Sequence, residues 1–302
     1  MKTLIVGLGI QGEKRKKFSG NDFAFSVDPL NKSADFRSIQ QVPLSEYDAV
    51  CLCVPNSQKK KIINYCLENQ KHVLVEKPLL LKEKDLDDIQ KKSIQKNTLV
   101  YSAYNHRFEP HFKTLKKIIA NEDFGKLYSC RMFYGNGTAK LVKDNNWKDK
   151  GMGVISDLSS HLLDSYNFFF NETPSNFKLI SSMMFENKSP DHAIIVHKSN
   201  KKLIQLEVSL CMWKNSFNCD LIFQNGSIHI NSLCKWGPST LTKRYRVLPS
   251  GYPKEKIKII NMKDPTWSLE YAHFKNLIKK SILPDQKKDK WISKILNNLN
   301  ES

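Results

Sequence analysis

The chain lacks any apolar run long enough to cross a bilayer. Its start, Met1-Lys2-Thr3, enters a strand at once and shows no signal-peptide anatomy. Its seven cysteines are odd in number and form no cluster with metal-ligand spacing, so neither a disulfide framework nor a metal site is expected. Cys51 and Cys53 stand in an apolar run and read as buried strand residues. Together these absences predict a soluble, cytoplasmic protein with reduced thiols and no membrane partner. Acidic residues are also in deficit, 30 against 48 basic ones, for a net charge of +18. The lysines are spread along the whole chain and alternate with apolar residues, so no nucleic-acid partner is expected. The densest runs, Lys14-Arg15-Lys16-Lys17 and Lys59-Lys60-Lys61, read as solvated helix faces. A basic surface would, however, attract an anionic small molecule.

What is present suffices for two domains, because 302 residues at 40% hydrophobic can bury a sizeable core. The first 119 residues alternate buried strands with helices. Leu4-Ile5-Val6 is a short apolar strand, followed by Gly7-Leu8-Gly9-Ile10-Gln11-Gly12. Glycines in this pattern permit a tight turn, close backbone approach to a pyrophosphate, and close packing of the next helix. A second strand from Phe23 to Val27 ends in Asp28, at the distance where such a fold holds the adenosine ribose. The segment after Asp28 is too short and too punctuated for a full crossover helix. Strands are expected at Ala49 to Val54, Val73 to Val75 and Leu99 to Ala103, with helices at Lys60 to Asn69 and Lys84 to Lys96. Gly7, Asp28, Asn56, Lys77 and Asn105 then all fall at carboxyl ends of strands, where ligands bind in doubly wound sheets.

From residue 120 onward the texture changes to period two, giving strands at Leu127 to Tyr134, Phe177 to Met184, Ala193 to Lys198 and Leu203 to Met212. Asn225-Gly226 is expected to form a type I′ hairpin turn inside Asp220 to Ile230. Between these strands, Gly151 and Gly153 lead into a helix expected from Asp157 to Phe170. It places Asp157 and His161 four residues apart on one face, a carboxylate and an imidazole suited to acid/base work. The fold expected is an N-terminal doubly wound α/β domain, 1–119, and a C-terminal α+β domain, 120–302, on an open, mainly antiparallel sheet. The free face of that sheet is expected to be apolar and to pair copies into a homodimer or homotetramer. A last amphipathic helix, Thr266 to Ile282, is expected to pack back between the domains, and the lysine-rich tail after Pro284 to be helical at best.

The sequence resembles the Gfo/Idh/MocA oxidoreductases. The resemblance rests on the glycine loop, Pro55-Asn56, Lys71-His72-Val73-Leu74-Val75-Glu76-Lys77-Pro78, Asn105-His106-Arg107-Phe108-Glu109-Pro110, Phe124-Gly125-Lys126-Leu127, Trp147 and the stretch with Asp157 and His161. It implies a hydride transfer between a nicotinamide cofactor and a secondary alcohol or ketone of a sugar, nucleotide-sugar or cyclic polyol; Asp28, which would repel a 2′-phosphate and is followed by Pro29 and not by a cation, points to NAD in preference to NADP. Gly7, Gly9, Ile10, Gln11, Gly12, Asp28, Pro55, Asn56, Glu76 and Lys77 would hold the cofactor. Lys77, Asn105, Arg107, Trp147, Asp157 and His161 would meet the substrate, with Lys77, Asp157 and His161 catalytic. The resemblance also implies a Lys77-Pro78 bond that is often cis. The alternative is a regulatory protein of the same fold that binds NAD(P) without chemistry. Two positions depart from the family's pattern: Lys59 stands where histidine is common, and Ser159 where glycine is usual.

Overall fold

The computed structural model describes residues 1–143, 145 and 149–300. The chain divides into two compact units, one made of Met1–Asn105 with Pro265–Lys294, the other of His106–Asp264 with the C-terminal residues from Ile295. The expected boundary after residue 119 therefore lies inside the second unit, because α4 packs with α7 rather than with the first sheet.

In the first unit, β1 (Thr3–Val6), β2 (Phe23–Val27), β3 (Ala49–Leu52), β4 (His72–Glu76) and β5 (Val100–Ala103) form a parallel sheet in the order β2-β1-β3-β4-β5. Strands buried on both faces need no polar alternation, and Leu4, Val6, Val50, Leu52, Val73 and Val75 indeed line one face while Ile5, Cys51 and Leu74 line the other. The helices α1 (Ile10–Ser19), α2 (Asn56–Glu68) and α3 (Glu83–Gln95) supply the crossovers. As expected, no helix follows β2. Short 3₁₀ turns at Ile39–Gln41 and Leu44–Glu46 carry the chain to β3. The sequence order of neighbours reverses between β1 and β3, which is where doubly wound sheets bind ligands.

The second unit opens with α4 (Pro110–Asn121) and is built on an eight-stranded sheet. Its strands are β6 (Leu127–Gly135), β7 (Lys178–Met183), β8 (His192–Lys198), β9 (Leu203–Ser209), β10 (Ser216–Phe223), β11 (Gly226–Asn231), β12 (Ser239–Tyr245) and β13 (Glu255–Ile260). All pair antiparallel except β6 with β9. A short α5 (Ala139–Lys143) follows β6; α6 (Gly153–Asp157) and α7 (Ser159–Phe170) come next, and α7 covers one face of the sheet. The Gln224-Asn225 turn has no positive φ, so it is not the type I′ turn that Asn-Gly suggested. The amides of Gln224 and Asn225 instead donate to the carbonyls of Lys126 and Phe124, which dictate the turn.

The uncovered face of this sheet also differs from expectation. Across the strands, one row reads Val196, Gln205, Arg131, Asp220, His229, Thr242, Ile257 in register, so polar side chains occupy its centre. Apolar residues stand around this row, Phe133 and Ile222 on the central strands and Ile194 and Ile259 toward the edges.

The C-terminal helices are α8 (Thr266–Lys279) and α9 (Lys287–Asn300). Within the first unit α8 packs on the sheet: Tyr271, Phe274 and Leu277 cover the face lined by Ile5, Cys51 and Leu74. The Tyr271 hydroxyl hydrogen-bonds Thr3 Oγ1 at 2.8 Å. Far from being marginal, α9 buries Trp291, Ile292, Ile295, Leu296 and Leu299. Among the described residues no helix is long and apolar enough to cross a membrane.

Candidate active site

The first unit carries a glycine turn at the end of β1, exposed at Gly9. Gly7 takes φ +91°, and a Cβ there would stand 2.5 Å from the carbonyl oxygen of Cys53, so only glycine fits. A Cβ on Gly12 would stand 1.9 Å from the carbonyl oxygen of Gly7, so α1 can start close against the turn. A Cβ on Gly9 would meet nothing within 4 Å. Gly9 caps α1 without a side-chain hydrogen bond, and Gly9, Ile10 and Gln11 are exposed. The first amides of a ten-residue helix thus face open space, the arrangement that accepts a pyrophosphate.

Asp28 lies against the same turn. Its Oδ2 accepts from the Leu8 amide at 2.7 Å and its Oδ1 from the amides of Leu30 and Asn31, both at 2.9 Å. Partial burial pushes this carboxyl up, but the three amides and the nearby Arg37 more than offset that and hold it below its ordinary value. A fixed carboxylate of this kind retains a lone pair, on Oδ2, for a ribose hydroxyl. Arg37, absent from the sequence-based candidates, donates to the Asn31 carbonyl at 2.6 Å and brings a cation to the same turn. Its spacing from Asp28 carries no recognisable motif, and only the β2–β3 excursion brings it back.

At the end of β4, two residues expected to touch the cofactor are otherwise engaged. Glu76 is 8% exposed, and its carboxylate accepts from Arg15 Nε at 2.6 Å. Arg15 also donates to Glu270 of α8 at 2.7 Å, and its guanidinium lies 4.5 Å from the Trp267 ring centroid. Burial alone would push the guanidinium down, but the two carboxylates hold it well above its ordinary value. The Asn56 amide pairs with the backbone of Leu80, accepting from its N–H and donating to its carbonyl. Pro55 is the exposed N-cap of α2. Lys77 is half-buried and precedes a cis Lys77-Pro78 bond, as the resemblance implied.

The second unit holds the acid/base candidates. They do not share one continuous helix: Asp157 ends α6, Leu158 forms a turn, and His161 lies in the first turn of α7. Gly153 is required here, since a Cβ would stand 2.2 Å from the Pro190 carbonyl oxygen, to which the next amide, Val154, donates. Asp157 is exposed, whereas His161 is 6% exposed. The imidazole of His161 stacks on that of His106, with centroids 4.1 Å apart and planes at 19°. Tyr134 sets its edge against His161 at 5.8 Å. Lys235 Nζ approaches His106 Nε2 at 3.4 Å and lies over Trp236 at 4.7 Å. Such a stack fixes the ring plane of His161 and leaves its acid/base nitrogen pointing where the packing directs it. His106 was quoted only as part of a motif, and Lys235 carries no sequence signal at all.

The comparisons with known proteins follow the same division. Residues 1–104 match the family described as "Oxidoreductase family, NAD-binding Rossmann fold", and residues 112–229 match the "GFO/IDH/MocA C-terminal domain". The chain belongs to the Gfo/Idh/MocA family. Among curated relatives, myo-inositol 2-dehydrogenase of Thermotoga maritima is 31% identical over 125 residues, which is 41% of this chain and 36% of that protein. Inositol 2-dehydrogenase of Mycolicibacterium smegmatis is 27% identical over 146 residues, 48% of this chain and 38% of that protein. The matched stretch thus spans a little over a third of these relatives. Two solved structures share the fold over 100% of the chain. Levoglucosan dehydrogenase in complex with NADH has a TM-score of 0.84 at 15% identity, covering 96% of that chain. UDP-N-acetylglucosamine 3-dehydrogenase of Acidithiobacillus ferrooxidans has a TM-score of 0.82 at 17% identity, covering 97% of that chain.

Two further candidates in this Gfo/Idh/MocA chain have partners within their own unit. Asn105 is buried and donates to Thr266 Oγ1 at 2.8 Å. Arg107 grips Asp164 with Nε at 2.9 Å and Nη2 at 2.8 Å, a bidentate pair that ties the loop before α4 to α7. Trp147 lies outside the described residues. One cluster of ligand-type atoms does occur among the described residues: Glu109, Cys234 and Asp264 bring them within 4.8 Å of one another. Burial pushes the Glu109 carboxyl and the Cys234 thiol up, and the charge of Lys235 faces both acids.

Proposed function

We propose that the chain is an NAD-dependent dehydrogenase acting on a CH–OH group of a sugar, nucleotide-sugar or cyclic polyol. The observation that carries this reading is the carboxyl edge of the first sheet. There the open α1 N-terminus and Asp28 at β1 and β2 accompany Lys77 at the end of β4, so cofactor groups and a cation emerge from one side of one unit. Gly9, Ile10 and Gln11 would hold the pyrophosphate and Asp28 the ribose. When bound, NAD supplies the acceptor for the hydride leaving the substrate carbon.

The chain's own residues carry the rest. His161 takes the hydroxyl proton as general base, and the stack on His106 keeps its ring from swinging away. The ammonium of Lys77 stabilises the oxygen as negative charge develops on it. Asp157, exposed at the end of α6, binds a neighbouring hydroxyl or passes the proton to solvent. Reduction of a ketone uses the same groups in reverse. The net charge of +18 favours an anionic, nucleotide-linked substrate over a neutral polyol. Retention of Lys77, Asp157 and His161 together favours chemistry over a purely regulatory role.

Substrate binding and self-association are assigned to the second unit. Phe133, Ile194, Val196, Ile222, Ile257 and Ile259 on the uncovered sheet face support a dimer or tetramer, and light scattering that finds only monomer at micromolar concentration would overturn it. Seven free thiols support a reducing, cytoplasmic setting. The cofactor is tested by calorimetry with NAD and NADP. NAD should bind tighter, because Asp28 repels a 2′-phosphate. Asp28→Ala should weaken NAD and narrow the gap, since Arg37 remains beside the site. Tighter NADP binding by the wild type would reverse the assignment.

A further inference from the structure

Lys59, which stands where histidine is common in the family, lies in the first turns of α2 and turns inward. Its side chain is 2% exposed, and its ammonium donates to the carbonyl oxygen of Glu76 at 2.6 Å and to that of Pro78 at 2.6 Å. These two carbonyls flank Lys77, one on each side. One turn earlier on the same helix, Asn56 accepts from the Leu80 amide at 3.0 Å and donates to the Leu80 carbonyl. The first turns of α2 therefore hold the backbone from residue 76 to residue 80.

The physical need for such a clamp is plain. Past Glu76 the chain leaves β4, so its carbonyls lose the ladder that satisfied them within the sheet. An ammonium carries three donors on a flexible stem and forms charge-assisted bonds, so one lysine can satisfy two carbonyls that point to the same spot. The Glu76 carboxylate is itself taken up by Arg15 of α1, whose Nε donates to it at 2.6 Å. The residue before Lys77 is thus gripped through its side chain by one helix and through its carbonyl by another.

We propose that Lys59 is a positioning residue for Lys77: by fixing the carbonyls on either side, it sets the direction in which the Lys77 side chain leaves the sheet edge. The inference rests on the role assigned to Lys77 above, in that placement matters only if Lys77 acts on a ligand; errors of about 1 Å in such a group can cost about 10²-fold in rate. Lys59 itself touches no ligand, because its ammonium is buried on the carbonyls.

The test reads Lys77 directly and needs no substrate. The protein is reductively methylated with carbon-13 formaldehyde, and the Lys77 methyl resonance is assigned by its loss in Lys77→Arg. Lys59→Met keeps the aliphatic stem and removes the donors. It should move the Lys77 resonance into the envelope of exposed lysines. Ile63→Val, in the same helix and fully buried, lowers stability by a cavity and should leave the resonance in place. Should Lys59→Met not fold, Lys59→Gln is measured in the same way, with a shift in the same direction expected. A Lys77 resonance unchanged in the Lys59 variant, or moved equally by Ile63→Val, overturns the proposal. If the resonance moves as expected yet no sugar or polyol is ever oxidised, the clamp stands and the dehydrogenase reading alone fails.

Discussion

Replacing Arg15 by methionine should destabilise the first unit by about 3–5 kcal/mol, the cost of leaving a buried charge unpaired. The perturbation is specific. Arg15 is 2% exposed, Glu270 is fully buried and Glu76 nearly so; the guanidinium bonds both at 2.6 and 2.7 Å. Methionine retains contact with the Trp267 ring but strands two carboxylates in the interior. The ammonium of Lys59 is engaged by the backbone oxygens of Glu76 and Pro78. At roughly 2–4 °C per kcal/mol for a chain of this size, the calorimetric midpoint should fall by about 6–20 °C. Charge, not lost volume, should be the cause, so adding Glu270→Met to Arg15→Met should recover part of the loss. A double-mutant cycle by urea denaturation measures that coupling. A loss below about 1 kcal/mol in Arg15→Met, or a double variant less stable than the single, would refute the reasoning. NAD binding and turnover should fall in parallel, since Glu76 adjoins Lys77.

Chemistry and stability give the remaining expectations. Once a substrate is found, His161→Ala should lower kcat about 10² to 10⁴-fold with little change in NAD binding, and Lys77→Ala should do comparable damage; full activity in His161→Ala would falsify the base assignment. Ser159, fully buried with an unpartnered Oγ, costs the fold a desolvated hydroxyl, so Ser159→Ala should raise the melting temperature by an amount equivalent to about 1 kcal/mol. In acid, Asp35 and Asp28 matter most in the first unit: the Ser26 hydroxyl and amide hold Asp35 below its ordinary value, as the loop amides hold Asp28. Depressed carboxyls contribute stability above their unfolded pKa, and that contribution disappears as pH falls through the folded one. Urea midpoints should therefore decline below about pH 4, with a shallower decline in Asp35→Asn. Glu109 has the opposite sign: burial raises it, so it contributes fully in acid and loses that contribution as pH rises through its folded value. Glu109→Gln should flatten that part of the profile.

The sequence by itself determined the parallel sheet, the glycine turn and the positions of Asp28, Lys77 and His161, because each is written in local pattern. A run such as Ala49 to Leu52, bounded by turn signals, reads as a strand covered on both sides, and Gly12 is demanded by the Gly7 carbonyl within the same turn, although Gly7 itself answers to the Cys53 carbonyl at the end of β3. Most strands of the second sheet were legible for the same reason, as period two survives in β8 to β11. Tertiary structure alone decided what the polar side chains do. Glu76, Asn56 and Arg107 looked like ligand contacts, yet each meets a partner 24 to 61 residues away in the chain. Lys59 faces carbonyls rather than solvent, and His106 and Lys235 join His161 only because the second sheet folds them together. Amphipathic spacing placed an apolar stripe on α8 but could not say which sheet it would cover; the apolar face at Ile5, Cys51 and Leu74 did. Local sequence specifies backbone through short-range sterics and burial periodicity, whereas a charged side chain's partner is fixed by desolvation, which only the completed packing imposes.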